Sequence, residues 1–422
     1  MNRIETFDLG DFEWPGEGET VTEVPGRVFY DPAIYQREQD KIFRGEVWNF
    51  VGLEVEIPNK GDYKTVHIAD TPVVLVRGEN DQIHCWVNRC SHRNANIVLD
   101  NYGNSDSFYC VYHQWGYDLD GTLKSVTFKR GLGGIGGMSD CFDQSKLRPR
   151  ALRVESFHGV IFASFSESVE TLEDYLGPTV AKFMKRIFNR PIKLLGRQRQ
   201  FMKGNWKLYA ENPRDGYHAS LLHVFFATFG LFRASQEGRI HVENGGKQTC
   251  FYTFAGKEDE KAKQQGMKEA PHTYQEGIYT LEDNSLLAGK MEWDDGINLV
   301  IIDVFPIMML QQIANVLNIR QIQPHGPDEV TVHYTFFGYE DDDEELEAMR
   351  LKQINLIGPA GLVSMEDGMA IEIAQKGIAE DSSATAVIKM GGTGVDEESN
   401  FLGDEGPVRG FWNAYTEMME LR

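Results

Sequence analysis

The chain has 422 residues, 41% hydrophobic and 25% charged, an ordinary globular composition at a length that exceeds one core. Its 42 Lys and Arg against 64 Asp and Glu give a net charge of −22, which repels phosphate backbones and anionic membranes and excludes nucleic acid as the expected partner. No apolar run reaches the ~18 residues of a membrane span, and the acidic opening MNRIETFDLGDFEW is unlike a secretory signal, so the chain reads as cytoplasmic. Cys85, Cys90, Cys110, Cys141 and Cys250 are an odd, sparse set, which argues for reduced thiols and against a disulfide framework.

Residues 1–45 form an N-terminal segment, with a helical pattern from Asp31 onwards (DPAIYQREQDKIF). Residues 46–166 change to short β-type runs such as PVVLVRG, IHCWVNRC and GVIFASF, punctuated by Gly, Pro, Asn and Asp, and predict a small all-β unit. Residues 167–422 mix helices with longer strands. A polar opening at Lys203, Gly204 and Asn205 precedes a helix, and INLVIIDVFPIMMLQQIANVLNIRQI and EVTVHYTFFGY read as strands, so an α+β domain follows the β unit. Residues 256–290 are polar and aperiodic and predict a surface excursion. The acidic run Glu340–Glu345 precedes LEAMRLKQINLIG and suits the positive end of a helix dipole better than a metal site.

The first set of candidate ligands is Cys90 and His92, then seventeen intervening residues, then Cys110 and His113. Two thiolates can hold one iron of a [2Fe–2S] pair and two imidazoles the other. A Cys2His2 zinc site uses the same atoms, but the β setting lacks the helix that carries both histidines of a zinc finger. His84 and Cys85, close by in a β run, and His67 and His158 read as packing or edge residues.

These residues carry a resemblance: CxH followed by CxxHxWxYxxxG is similar to the Rieske motif of ring-hydroxylating oxygenases. Respiratory Rieske proteins have an extra cysteine in each loop, whereas here the neighbours are Arg93, Asn94, Val111 and Tyr112. The resemblance implies an oxygenase-type cluster. It also implies an α+β fold, an all-β Rieske domain followed by a larger catalytic domain with an antiparallel sheet and flanking helices.

The second set lies in ENPRDGYHASLLH, which contains Asp215, His218 and His223. Asp215 and His218 share a helix face, but residues five apart point about 140° from each other. A kink, or a helix end before His223, is therefore required if both histidines bind one metal. Non-haem Fe(II) oxygenases use two histidines and one carboxylate, and Glu366 and Asp367 in GPAGLVSMEDGMAIEIAQ are the candidates for the third ligand. ENxxDxYHxxxxH and GPAGxxxxEDG resemble the mononuclear-iron segments of the Rieske oxygenase large subunits, which implies His218, His223 and Asp367 as ligands. In that family an aspartate links the iron of one subunit to the cluster of its neighbour in a trimer; Asp215 matches it, with His218 and His113 as its partners. Asn212 is a candidate pocket residue or a structural hydrogen-bonding group.

The resemblance further implies electrons from NAD(P)H through a reductase, with or without a ferredoxin. It implies a small β subunit in a trimer of α/β pairs, and O2 and an aromatic acid as substrates. The chain is most similar to the benzoate-type branch, which acts on acids such as anthranilate, salicylate, terephthalate and halobenzoates. Arg320 is a lone cation in an apolar strand, where a substrate carboxylate fits bidentately; an internal salt bridge or an exposed strand end is the alternative. Only Lys376, Lys389, Arg409 and Arg422 follow Asp367 as basic residues, which favours a monocarboxylate with an ortho amino, hydroxyl or halogen group. The rival readings are a terephthalate or polycyclic-arene dioxygenase, a monooxygenase of the same superfamily, and a Rieske electron-transfer protein. The roughly 250 residues beyond the β unit, enough for a second domain, argue against the last.

Overall fold

The computed structural model describes residues 12–15, 18–273, 279–381 and 383–422. Contacts divide the chain into a unit over Phe43–Leu172 and a second made of the residues up to Ile42 with Glu173–Arg422.

The first unit holds ten short strands: β1 Asn49–Leu53, β2 Asp62–Ile68, β3 Thr71–Arg77, β4 Ile83–Val87, β5 Tyr102–Asn104, β6 Phe108–Tyr109, β7 Gly116–Tyr117, β8 Leu123–Ser125, β9 Ala151–Phe157 and β10 Val160–Ser164. Seven form an antiparallel sheet in the order β1-β10-β9-β4-β3-β2-β5, and β6-β7-β8 form a smaller one. The β9–β10 turn is made by His158 and Gly159, both at positive φ (51° and 85°), the geometry that a two-residue hairpin loop demands. His158 is thus a turn residue. The core gathers Val74, Val76, Trp86 and Tyr117, all fully buried, around Cys90 and Cys110.

The second unit is built on an eight-stranded antiparallel sheet. Its strands are β11 Ile192–Met202, β12 Gln236–Glu243, β13 Gln248–Glu258, β14 Ile297–Val304, β15 Met308–Ile313, β16 Val316–Pro324, β17 Val330–Tyr339 and β18 Glu398–Ser399, in the order β11-β17-β16-β15-β14-β13-β12-β18. Helix α1 (Pro32–Glu38) is the first α-helix of the unit among the described residues, its first turn capped by Asp31. Helices α2 (Trp206–Glu211), α3 (Gly216–Leu222) and α4 (Val224–Phe229) follow β11, and α5 (Glu344–Ile357), α6 (Leu362–Glu380) and α7 (Gly406–Met419) follow β17. Helices α2 and α5 pack on β16, and α6 packs on β11 and α2. Glu38, fully buried, accepts from Lys207 Nζ at 2.6 Å, Trp206 Nε1 at 2.7 Å and Tyr415 Oη at 2.6 Å, which ties α1, α2 and α7 together.

Local sequence explains where the helices begin. Asn205 caps α2 by accepting from Lys207 N at 3.0 Å. Asp343 caps α5 by accepting from Leu346 N at 2.7 Å, with Glu344, Glu345 and Glu347 in the first turn, so the acidic run is a helix start. The excursion after β13 lies at the surface as expected, yet it contains a helix over Glu260–Glu269 capped by Asp259, which aperiodicity concealed; residues 274–278 lie outside the described residues. All five cysteines are free thiols. Among the described residues no helix is long and apolar enough to cross a membrane.

Candidate functional site

Each unit gathers one set of metal-ligand side chains. In the first unit, Cys90 and His92 sit on the loop after β4, and Cys110 and His113 on the loop between β6 and β7. The two loops repeat one backbone device: Asn94 N donates to Cys90 O at 2.9 Å and Gln114 N to Cys110 O at 2.8 Å, with Asn94 and Gln114 both at positive φ (60° and 56°). Asn88 staples the first loop, donating to Val98 O at 2.7 Å and accepting from Ile97 N at 2.9 Å. As a result both sulfurs face the core while the imidazoles face outward, with His92 Nδ1 and His113 Nδ1 3.1 Å apart. His92 stacks on Trp115 at 4.6 Å between ring centroids. Burial, together with the neighbouring Cys90, pushes the Cys110 thiol up. Two inward sulfurs and two converging nitrogens are the donor set of a Rieske cluster, which supplies the cation that such paired thiolates need. Tyr117 Oη lies 3.1 Å from Cys90 Sγ and accepts from Ser91 N at 3.1 Å, so its own hydrogen is free for the sulfur.

In the second unit Asp215 caps α3. Its Oδ1 accepts from Tyr217 N at 2.9 Å, and its Oδ2 lies 3.2 Å from His218 Nδ1. Helix α3 stops at Leu222, and His223, at φ −84° and ψ 75°, is the hinge into α4. This break turns His223 back towards His218, as two ligands five residues apart require. Asp367, on the buried face of α6, places Oδ1 at 3.4 Å from His218 Nε2 and 3.2 Å from His223 Nε2. Candidate ligand atoms of all three residues lie within 4.8 Å of one another. Burial opposes charge on the imidazoles, but Asp215 and Asp367 push His218 up to about 10, and Asp367 and Glu366 raise His223. Burial likewise opposes the Asp367 charge, yet its hydrogen bonds to the two histidines hold its carboxyl below the usual range. Carboxylates this eager for positive charge, with two nitrogens and one oxygen converging, fit a divalent ion of the Fe(II) type.

Asn212 Nδ2 donates to Asp367 Oδ1 at 3.2 Å, so this candidate pocket residue sits at the ligand set. Glu366, the alternative third ligand, is elsewhere: its Oε2 lies 2.8 Å from His223 Nδ1, on the far edge of the ring. Gly216 lets the chain pass Leu402, whose carbonyl oxygen would lie 2.0 Å from an added Cβ.

A pocket with about 550 Å³ of empty space, its open mouth included, lies against His218, His223 and Asp367. Phe226, Phe232, Phe251, Leu299, Ile301 and Ile313 give it an apolar wall. Among the described residues that line it, Arg320 on β16 is the one Arg or Lys, and it is 3% exposed. Arg320 donates to Asn318 Oδ1 at 3.1 Å, Tyr209 Oη at 2.9 Å and Gln311 Oε1 at 2.6 Å, and lies over the Tyr334 ring at 4.6 Å. Among the described residues no carboxylate pairs with it, so neither an internal salt bridge nor an exposed strand end describes it. Burial works against its charge, while Tyr209, Tyr334 and Asp367 raise its pKa. Gln311 and Tyr209, which aim the guanidinium, were not singled out in the sequence; a polar side chain interrupting the apolar strand MMLQQI was the available signal. Of the other late cations, Arg409 is spent on Asp404 at 3.0 Å and Lys389 on Glu23 at 2.8 Å.

A thiolate and imidazole set in one unit and a two-histidine, one-carboxylate set in the other together define the class of Rieske-type iron oxygenases. Comparison with known proteins gives the family. Residues 47–135 match the Rieske [2Fe-2S] domain, and residues 185–421 match the ring hydroxylating alpha subunit (catalytic domain). The anthranilate 1,2-dioxygenase large subunit of Burkholderia cepacia is 44% identical over 98% of this chain and 96% of its own. The terephthalate 1,2-dioxygenase terminal oxygenase component subunit alpha 2 of Comamonas sp. is 45% identical over 95% of this chain and 96% of its own. The crystal structure of naphthalene 1,2-dioxygenase from Rhodococcus sp. bound to indole shares the fold, with a TM-score of 0.75 over 94% of each chain at 22% identity. The chain belongs to the alpha subunits of the ring-hydroxylating dioxygenases, non-haem iron enzymes that carry a Rieske [2Fe–2S] cluster.

Proposed function

We propose that this alpha subunit dihydroxylates an aromatic monocarboxylate, an ortho-substituted benzoate such as an amino- or hydroxybenzoate. The carrying observation is Arg320, a buried guanidinium with only neutral partners, in the same cavity as His218, His223 and Asp367. A buried cation with no described carboxylate in ion-pair contact is costly, and a ligand carboxylate offsets that cost. The apolar wall takes the ring and excludes water. A polycyclic hydrocarbon would leave Arg320 unpaired, and a dicarboxylate such as terephthalate would call for a second Arg or Lys, which is not found among the described lining residues.

In this reading Cys90 and Cys110 ligate one iron of the cluster, His92 and His113 the other, and His218, His223 and Asp367 ligate the mononuclear Fe(II). The cluster and the iron, when bound, supply electron relay and O2 activation. The chain's residues do the rest: Arg320 anchors the acid, Asn212 donates to Asp367 Oδ1, and Asp215 orients His218. Electrons come from NAD(P)H through a reductase, with or without a ferredoxin. The partners are a small β subunit and two further α/β pairs, and the cluster of one copy serves the iron of the next. Outward-facing His92 and His113, with exposed Tyr109, Val111 and Tyr112 around them, support that docking, as does the partly exposed Asp215 that His113 would meet.

The test is turnover of a panel of ortho-substituted benzoates, their neutral amides, benzene dicarboxylates and polycyclic arenes under labelled O2, with product identification. The monocarboxylates are expected to turn over fastest and to carry both labelled atoms. Equal turnover of the neutral amides would overturn the reading.

A further inference from the structure

Glu366 and Asp367 are consecutive on α6, so their side chains leave the helix about 100° apart. Both nonetheless reach the same imidazole. Asp367 Oδ1 lies 3.2 Å from His223 Nε2, and Glu366 Oε2 lies 2.8 Å from His223 Nδ1. This is a consequence of the hinge between α3 and α4, which presents the ring edge-on to α6. Glu366 has no other hydrogen-bond or ion-pair partner among the described residues. The imidazole stands between its carboxylate and the point where His218 Nε2, His223 Nε2 and Asp367 Oδ1 converge, so direct ligation would first require His223 to leave. The arrangement also has a counterpart: His218 points Nε2 at Asp367 and has Asp215 at 3.2 Å behind its Nδ1. Each histidine therefore faces the shared ligand carboxylate with one nitrogen and a private carboxylate with the other.

We propose that Glu366 is a positioning residue for the iron site. It accepts the Nδ1 hydrogen of His223, fixes the tautomer whose Nε2 lone pair faces the metal, and makes that nitrogen a stronger donor. This inference rests on the reading that His218, His223 and Asp367 hold iron. A carboxylate behind a metal-bound histidine locks ring orientation and raises ligand basicity, and its removal weakens metal affinity by about 10–100-fold. In the proposed trimer Asp215 would also meet a neighbour's His113, whereas Glu366, 27% exposed in its side chain, touches the metal site alone.

The experiment is Fe(II) titration of the full-chain oxygenase against a competing chelator, for wild type, Glu366→Ala, Glu366→Gln and Asp367→Ala. Cluster absorbance, thermal midpoint and the near-infrared ligand-field bands of the Fe(II) site are followed in parallel. Glu366→Ala is expected to bind Fe(II) about 10–100-fold more weakly, with cluster content and iron-free thermal midpoint unchanged and the ligand-field bands shifted. Glu366→Gln, which keeps an acceptor but loses the charge, is expected to fall between and to decide the matter if the alanine variant does not fold. Wild-type affinity in Glu366→Gln and Glu366→Ala, while Asp367→Ala loses specific iron, overturns the positioning role alone. Full iron retention in Asp367→Ala overturns the ligand reading beneath it.

Discussion

Replacing Arg320 with Ala is expected to raise KM for an aromatic acid about 100-fold and to change kcat little. The guanidinium has five N–H groups. Among the described residues Nε serves Asn318, one Nη1 hydrogen serves Tyr209 and one Nη2 hydrogen serves Gln311, which leaves one hydrogen on each terminal nitrogen. The clamp uses those two for the carboxylate. Two charge-assisted hydrogen bonds at about 1.5 kcal/mol each give about 3 kcal/mol, or roughly two decades of affinity at about 1.4 kcal/mol per decade. The bonds are made to the substrate carboxylate and are expected to hold ground state and transition state alike, so their loss appears in KM. The fold should survive, because the change removes a buried charge without orphaning another: Asn318 Nδ2 still donates to Gln311 Oε1 at 3.0 Å, and Tyr209 and Tyr334 keep their hydroxyl contact at 3.3 Å. Arg320→Lys keeps the charge but loses the fork and should fall between. The assay is O2 uptake with the reconstituted reductase, for each benzoate and its neutral amide. An unchanged KM for every acid, or an equal loss for acid and amide, would refute the clamp.

Asp215→Asn, assayed with Fe(II) in excess to offset the weaker support of His218, should keep cluster content at the wild-type level but slow single-turnover oxidation of the reduced cluster by more than tenfold; normal turnover would sink the bridging role. Tyr117→Phe deletes the hydroxyl donor to Cys90 Sγ and should lower the cluster potential, read by redox titration of its electron resonance, with the iron site unaffected. Glu211, half-buried against Trp412, is held at about 8 against its ordinary 4.5, first by burial and then by Asp215 and Glu405. The folded state therefore binds the extra proton between those values, and stability falls as pH rises from about 5 to 8. Glu211→Gln should flatten that slope of the thermal midpoint and raise it at pH 8, and an unchanged slope would contradict the assignment.

The cluster site was legible because its ligands fall in two short loops whose spacing survives folding. The iron site was legible in part. Helix periodicity showed that His218 and His223 conflict on one straight helix, and α3 ends between them. The separation of Asp367 from Glu366 came from family resemblance alone, because period and composition treat adjacent acids alike; only the path of α6 places one on each nitrogen of His223. Arg320 stood out as a cation in an apolar strand, but its supports did not. Gln311 lies opposite Asn318 and Met309 opposite Arg320 across the β15–β16 pair, so the group that holds the guanidinium exists only through register, a property of the hairpin and of neither strand. The missed helix at Glu260–Glu269 has the opposite cause: its local signal, an Asp cap before Lys, Ala and Gln, was present, but with no buried face there was no periodicity to read.

The spread of the ligands along the chain differs greatly between the two sites, and it bears on how the protein is born. Cys90 to His113 leave the ribosome almost together, inside a unit that ends at Leu172. The carboxylates that meet His223 come from α6, with Glu366 143 positions further on. Synthesis runs from the amino end, and early domains organise first. The cluster loops are therefore complete while the iron pocket still lacks a wall. The ligands of the cluster can thus all be present on a nascent chain, whereas mononuclear iron has no finished berth until α6 has emerged.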